Sequence, residues 1–559
     1  MSESLKQKIT SAGFFKGELF DDSVARDKYS RDASLFEVQP QLVAFPQNSA
    51  DIQALVKFVG EQKAADPEAN AKLSITARAA GTCMSGGSLN ESIILDVTKH
   101  IGKLISLSPD EAVVEPGMYY RDFEKETLKQ NAILPCYTAS KNLCALGGMI
   151  SNNAAGEKTL QYGKMEQYVR ELHMIFADGN EYIVKPLTRA ELDVKMAQNN
   201  FEGKVYKEIF ELIEKNRDAI AAAKPQVSKN SAGYYLWNVW DPQANNGAGL
   251  FDLTRLIVGS QGTLGIVTQA NIKLVPVKPI SKLFVVFMPN IEKLGDLVKE
   301  ILTLNPDSVE SYDDSTMKLA VRFMPEMLKT MHAGGFFKLM FQFLPEVGMM
   351  LTGGIPKLVL LTEFCGTNEA EIDAKMVALE KKIAHFGFRM RATKTPADSE
   401  KYWTIRRESF NLLRKHVRGM RTAPFIDDVV VRPEFLPEFL PKMRKILDDY
   451  KLTYTIAGHA GNGNFHVIPL MNMRDEHNRA IISEISEKMY DLVISYKGSI
   501  TGEHNDGIVR TPYLEKMYGS AITALFAETK HIFDPLNMFN PGKKVGGTIE
   551  YMESHLARN

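Results

Sequence analysis

The chain has 559 residues, with 67 Lys and Arg against 68 Asp and Glu, a formal net charge of −1. That balance gives no overall field to recruit nucleic acid or an anionic membrane, while 44% hydrophobic and 24% charged residues fit a protein that buries real cores. Four cysteines (Cys83, Cys136, Cys144, Cys365) without C-x-x-C spacing point to neither a disulfide framework nor a cysteine-rich zinc site. The polar start MSESLKQKIT lacks a signal core, and no uncharged apolar run reaches the roughly 18 residues that span a bilayer, so a cytoplasmic protein is expected.

In chain order, SITARAAGTCMSGGSL predicts a strand running into a glycine-rich turn, and SIILDVT the next strand. YRDFEKETLKQN and KVYKEIFELIEKNRDAIAAA carry apolar residues at helical spacing. RELHMIFADGNEYIV alternates apolar and polar residues across an Asp-Gly turn, a hairpin pattern. LTRLIVGSQGTLGIVTQANIKLVPV reads as strand-like. Near Val277–Pro279 the texture changes, and ISKLFVVFMPNIEKLGDLVKEILTL opens a second α+β unit with a strand and then a helix. GSITGEHNDGIVRTP precedes a helix, YLEKMYGSAITALFAETKHIF, and a DPLNMFNPGKK tail. The organisation expected is therefore α+β, with units at 1–278, 279–500 and 501–559. Residues 331–358, rich in Met and Phe, read either as a helical insertion packed on its domain or as a surface for a membrane or a hydrophobic electron acceptor.

No G-x-G-x-x-G follows a strand, and Gly81…Gly86-Gly87 lacks the Lys-Ser/Thr of a P-loop. Three other glycine clusters are present: Arg78 to Gly87, Leu146 to Gly156 and Gly259 to Gly265. Each mixes Gly with Ser, Thr or Asn, residues that let backbone amides converge on an anion. One cluster alone is an ordinary turn; three within about 200 residues imply a large, extended, phosphate-bearing ligand.

TARAAGTCMSGGSL, PCYTASKNLCALGGMISNNAAG and LIVGSQGTLGIVT, with VAFPQNSADIQALVKFV and VSKNSAGYYL, resemble the flavin domain of the vanillyl-alcohol oxidase family. The resemblance implies FAD lying extended between two α+β subdomains within 1–278, bound noncovalently because no His in these loops suits a flavin link. By motif, Arg78, Ala79, Ala80, Gly81, Thr82, Ser85, Gly86 and Gly87 would meet the pyrophosphate. Ser140, Gly147, Gly148, Ser151, Asn152 and Gly156 would line the flavin, and Gly262, Ile266 and Val267 its adenine side. Ala80 and Gln261 stand where many relatives have Gly and Glu.

The second half contains GHAGNGNFH, with His459 and His466, and later GEHNDG, with Glu503 and His504. Gly461 and Gly463 argue against a helix, and the flanks TYTIAG and FHVIPL read as strands, so AGNGN is taken as the turn between them. Both imidazoles then project towards one point, where two His and a Glu form a recognised zinc set. The plain alternative is a pair of buried, hydrogen-bonded histidines. Glu503 and His504, if extended, face opposite ways and do different jobs.

This half resembles the FAD-linked D-2-hydroxyacid dehydrogenases, whose motif reads H-x-G-D-G-N-x-H followed by Gly-Glu-His. The resemblance implies His459, His466 and Glu503 as ligands of a divalent metal, with zinc the expected ion, His504 as catalytic base, and 279–500 as a substrate-binding cap with a mostly antiparallel sheet. Asn462 replaces the usual Asp. DPLNMFNPGK fits the closing segment and would bring Asn540 and Lys543 back to the flavin. KYWTIRRESFNLL places Arg406 on the carboxylate-binding arginine. Phe410, and the absence of a lysine near Ile426, remove two groups that would hold a second carboxylate; Arg407 or Arg421 could compensate. The expectation is oxidation of a D-2-hydroxy acid, D-lactate favoured over D-2-hydroxyglutarate or glycolate. Electrons would pass to an external quinone, cytochrome or electron-transfer protein. The rivals are a related flavin oxidase, an alkylglycerone-phosphate synthase and a non-enzymatic electron-relay subunit.

Overall fold

The structure is a computed structural model that describes residues 3–322, 354–416 and 419–558, without the side chains of 320–322 and 408–416. Most of the Met- and Phe-rich stretch at 331–358, and the side chain of Phe410, lie outside the described residues. Among the described residues no helix is long and apolar enough to cross a membrane.

Among the described residues, three main sheets carry the chain. In the first, Leu42–Phe45, Ile93–Asp96 and Ile75–Arg78 run parallel, with Glu18–Phe20 antiparallel at the edge. These short strands are almost wholly buried, and Val-Ile-Leu runs are what a parallel sheet covered on both faces requires. The first glycine cluster leaves the carboxyl end of Ile75–Arg78. The second sheet is antiparallel, in the order Leu104–Leu107, Glu111–Val114, Ile266–Lys273, Val169–Ile175, Glu181–Val184. Its last two strands are the hairpin expected across the Asp178-Gly179 turn. The closing tail returns to the first sheet, where Phe539 bridges Ile75 and Met538 joins the core of Ile52, Leu55 and Ile93.

The third sheet has eight strands, all pairs antiparallel: Arg389–Ala392, Ile280–Met288, Leu358–Gly366, Ser308–Asp313, Thr453–His459, Asn464–Met471 and Arg421–Thr422 in order, with Val429–Val430 also on Asn464–Met471. Helices Leu294–Leu302, Glu369–Ile383, Leu436–Asp449 and Glu476–Ser495 supply apolar residues to its core. The expected α+β architecture, two flavin-type subdomains and a mostly antiparallel cap sheet, is what the chain forms.

Three local expectations fail. LTRLIV is not strand but a helical turn, Thr254–Ile257, because the Asp252 carboxylate takes the Thr254 amide at 3.0 Å and winds the chain. The long C-terminal helix is two, Leu514–Tyr518 and Ser520–Phe533, broken at Gly519 with φ +79°. The GEHN segment is a tight turn, described below, and not an extended strand.

Candidate active site

A cleft lies between the first two sheets, lined by all three glycine clusters. Of the residues expected at FAD, Arg78, Ala79, Ala80, Gly81, Thr82, Gly87, Gly147, Gly148, Ser151, Asn152, Gly262 and Val267 line it. The backbone amides from Ala80 to Met84 donate to no backbone carbonyl among the described residues. A run of free amides in a cleft, with Gly81 at φ +65°, is a nest for an anion and fits a pyrophosphate. The residues present therefore suit FAD.

Other expected contacts serve the cleft from behind. Ile266 is buried in the core, because side chains alternate along Ile266–Lys273 and only Val267 faces the cleft. Ser85 donates to the His504 carbonyl at 3.1 Å, and Ser140 pairs with Thr138 at 2.9 Å. Gly86 lies against Phe36 and Ile508. At Gly156 a Cβ would stand 2.1 Å from the Tyr137 carbonyl, so glycine is needed for close backbone approach. Asn540 ties two clusters together by donating to the carbonyls of Gly87 and Gln261 at 2.8 and 2.7 Å. Lys543 donates to the Leu89 carbonyl at 2.6 Å. These side chains brace the walls and do not form them.

The histidines come together as the hairpin predicts. Thr453–His459 and Asn464–Met471 are joined by a tight turn at Ala460–Asn462 and Gly463, φ +66°. The register pairs His459 with Asn464 and His466 with Ala457, which puts both imidazoles on one face. Glu503 Oε1 lies 2.9 Å from His459 Nε2 and 3.0 Å from His466 Nε2. The opposite ring nitrogens are held by carboxylates, His459 Nδ1 by Glu310 Oε1 at 2.7 Å and His466 Nδ1 by Asp427 Oδ1 at 3.1 Å. Outer carboxylates of this kind fix the ring orientation of metal-binding histidines. Asn462 turns away, donating to Ser228 Oγ at 3.0 Å.

Glu503 and His504 do not face opposite ways. Their amides both donate to Asp428 Oδ2 at 2.8 Å, as does Thr501 Oγ1 at 2.6 Å, and the chain wraps around that one carboxylate. Asp428 is fully buried at φ +72°. The His504 ring therefore stacks on His466, centroids 5.1 Å apart, and its Nδ1 meets Asp427 Oδ2 at 2.8 Å. That contact is an ion pair without hydrogen-bond geometry, so neither ring nitrogen of His504 has a hydrogen-bond partner among the described residues.

Four buried carboxylates, Glu310, Asp427, Asp428 and Glu503, face three buried cations, Lys229, Arg406 and Arg510. Lys229 Nζ lies 3.6 Å from Glu503, Arg406 pairs with Glu310, and Arg510 donates to the Asp427 carbonyl. Burial penalises every charge here, yet neighbours outweigh it. Lys229 and His459 hold Glu503 well below the usual carboxylate range, and His504 and His466 hold Asp427 down. Burial would lower His466, but Asp427 and Glu503 raise it to about 10; Asp427 and Asp428 likewise raise His504. The set is thus short of positive charge. Protonated imidazoles or a divalent cation at the two Nε2 atoms and Glu503 would neutralise it, and the His₂Glu donors suit zinc.

Arg406 does not stand free in the site, since Glu310 holds its guanidinium; its buried Nε makes no hydrogen bond among the described residues. Arg407 is forked by both oxygens of Glu157 at 2.9 Å, and Arg421 donates to the Ser34 carbonyl at 3.2 Å. Glu310, Asp427, Asp428 and Lys229 escape the sequence reading. The signal available for one pair is FIDDVVV, two adjacent acids inside an apolar run, where burial is costly without partners.

The cleft and the histidine cluster meet in one loop. Besides the Ser85 bond to His504, Asn505 Nδ2 donates to the carbonyls of Asn152 at 3.3 Å and Gly259 at 2.9 Å, and the Gly507 amide to Gln261 Oε1 at 2.8 Å. All three glycine clusters thereby touch the segment that carries Glu503 and His504.

Two family models match the chain, "FAD binding domain" at 40–184 and "FAD linked oxidases, C-terminal domain" at 279–544. A D-2-hydroxyglutarate dehydrogenase of Pseudomonas putida is 27% identical over 95% of this chain and 50% of its own length; the chain spans about half the length of such relatives. A D-lactate dehydrogenase of Archaeoglobus fulgidus is 25% identical over 92% of this chain and 96% of its own. Among solved structures, a 4-ethylphenol oxidase from Gulosibacter chungangensis shares the fold at TM-score 0.66 and 14% identity, covering 95% of each chain. An alkyldihydroxyacetonephosphate synthase does so at 0.65 and 15%, covering 96% of this chain and 85% of its own. The two family matches take in the first two glycine clusters, the histidine turn and Glu503, and together cover most of the chain, which thus carries the FAD-binding and C-terminal domains of the FAD-linked oxidases.

Proposed function

We propose that this chain is an FAD-dependent dehydrogenase that oxidises a D-2-hydroxy acid to the 2-oxo acid, with D-lactate the favoured substrate. The observation that carries the reading is the single loop from Thr501 to Gly507, which joins a flavin-type cleft to a His-His-Glu cluster. The dehydrogenases and the glycolate oxidase subunit among its relatives support the same class. Arg406, through its Nε, offers a donor to the substrate carboxylate, the role for which a guanidinium is suited. His459, His466 and Glu503 would hold a divalent cation, zinc by donor type, which supplies a Lewis acid to lower the pKa of the substrate hydroxyl. His504 takes the hydroxyl proton at Nε2, while Asp427 holds Nδ1–H and so fixes the basic nitrogen. FAD supplies the two-electron acceptor for the α-hydrogen and the route to an external electron acceptor.

The preference for a monocarboxylate rests on Arg407 being occupied by Glu157 and on Asp427 standing beside Ile426, where a lysine would serve a second carboxylate. A cytoplasmic setting is part of the reading, supported by four free thiols. Anaerobic stopped-flow mixing tests the proposal. D-lactate should bleach the flavin faster than D-2-hydroxyglutarate, D-malate or glycolate, and L-lactate should not. A flavin that dithionite reduces but none of these acids does would overturn the activity; faster bleaching by D-2-hydroxyglutarate would overturn the substrate preference alone.

A further inference from the structure

Glu310 is 1% exposed, and it lies on Ser308–Asp313, a strand with no glycine cluster and no histidine. The register that sets Ser311 opposite Gly458 brings Glu310 to His459 on the neighbouring strand. Its two oxygens are divided between two parts of the site: Oε1 takes His459 Nδ1 at 2.7 Å, and Oε2 pairs with Arg406 Nη2. A lone ion pair would need only one of these partners. A buried carboxylate bound to both ties the imidazole whose Nε2 meets Glu503 to the guanidinium proposed above as the substrate's donor.

We infer that Glu310 is a positioning residue that sets His459 with Nε2 towards the cation site and, with its other oxygen, seats the Arg406 guanidinium for the substrate carboxylate. The inference rests on the proposed reading of His459 and Arg406. It makes two separable claims, one on each oxygen. Through Oε1 it acts on cation affinity, because an imidazole whose Nδ1 loses its acceptor can rotate or change tautomer. Through Oε2 it acts on substrate binding, because a long arginine side chain without its anchor must be ordered anew by each substrate.

The test compares Glu310→Ala, Glu310→Gln and His459→Ala as FAD-loaded full-length protein, with flavin content and thermal melting as controls for folding. Zinc affinity is measured by competition with a chromogenic chelator, with zinc as the only ligand added. Glu310→Ala should weaken zinc roughly 10–100-fold, the usual worth of such an outer contact. Glu310→Gln keeps an acceptor for His459 Nδ1–H and should stay within about threefold. At saturating zinc both variants should raise KM for the 2-hydroxy acid roughly fivefold or more with kcat changed far less, the signature of lost binding common to ground and transition states. Unchanged zinc affinity in Glu310→Ala together with unchanged KM overturns the inference. Should Glu310→Ala fail to hold flavin, Glu310→Gln decides, and an unchanged KM there overturns it. If His459→Ala itself binds zinc as the parent does, the cation reading falls; if His459→Ala loses zinc and Glu310→Ala does not, only the role of Glu310 falls.

Discussion

Replacing Asp427 by Asn isolates what one buried carboxylate does for two histidines. The side chain is fully buried, and its oxygens lie 2.8 Å from His504 Nδ1 and 3.1 Å from His466 Nδ1. Asn has nearly the same shape, so packing is preserved while the charge is lost. Of the two contacts, the one to His504 bears directly on proton abstraction. A hydrogen bond to a charged group contributes about 1.5–3 kcal/mol, which corresponds to roughly 10–150-fold in rate. The amide adds a second effect: if its NH₂ faces His504, Nδ1 becomes the acceptor and Nε2 carries the proton, the wrong form for a base. In a serine protease triad the same exchange costs about 10⁴-fold. Asp427→Asn should therefore slow flavin reduction by at least about 10-fold, and by up to about 10⁴-fold where the amide enforces the wrong tautomer. The assay is single-turnover flavin bleaching at saturating 2-hydroxy acid, with FAD content and zinc content measured on the same sample. A rate within about threefold of the parent, at full FAD and zinc content, would remove Asp427, and with it the Nε2 assignment of His504, from the mechanism.

Three further outcomes are expected. Dialysis against EDTA should abolish flavin reduction while leaving the bound-flavin spectrum intact, with Zn²⁺ or Mn²⁺ restoring the rate; full turnover in a metal-free sample would exclude a cation at His459, His466 and Glu503. Gly81→Ala should lower the FAD-to-protein absorbance ratio, since a Cβ there would meet Arg78 Nη2 at 2.4 Å and a side chain at φ +65° costs about 1–2 kcal/mol; a full flavin complement would show that this loop does not need its glycine. Glu157→Gln releases Arg407 and should raise kcat/KM for D-2-hydroxyglutarate relative to D-lactate. An unchanged ratio would show that Arg407 does not reach the substrate.

The sequence by itself determined the parts whose chemistry is local. Glycine clusters announce backbone that must approach an anion, and AGNGN between two strand-like flanks sets His459 and His466 on one face through register alone. The hairpin at Asp178-Gly179 and the strand-then-helix opening after Pro279 follow from periodicity in the same way. Sequence reasoning went wrong where a carboxylate captured backbone amides. Asp252 did so locally and turned LTRLIV into a helix, while Asp428, from a distant segment of the chain, curled GEHN so that Glu503 and His504 share a neighbour in His466. The rest was decided by tertiary structure. Glu310, Lys229 and Asp427 reach the His-His-Glu cluster from segments 149, 274 and 39 residues away from a partner in it. Their roles exist only because separate strands and loops bury them against the same cluster. Periodicity reports which face of an element is apolar, whereas a buried charge is set by whichever partners the fold brings within hydrogen-bond reach.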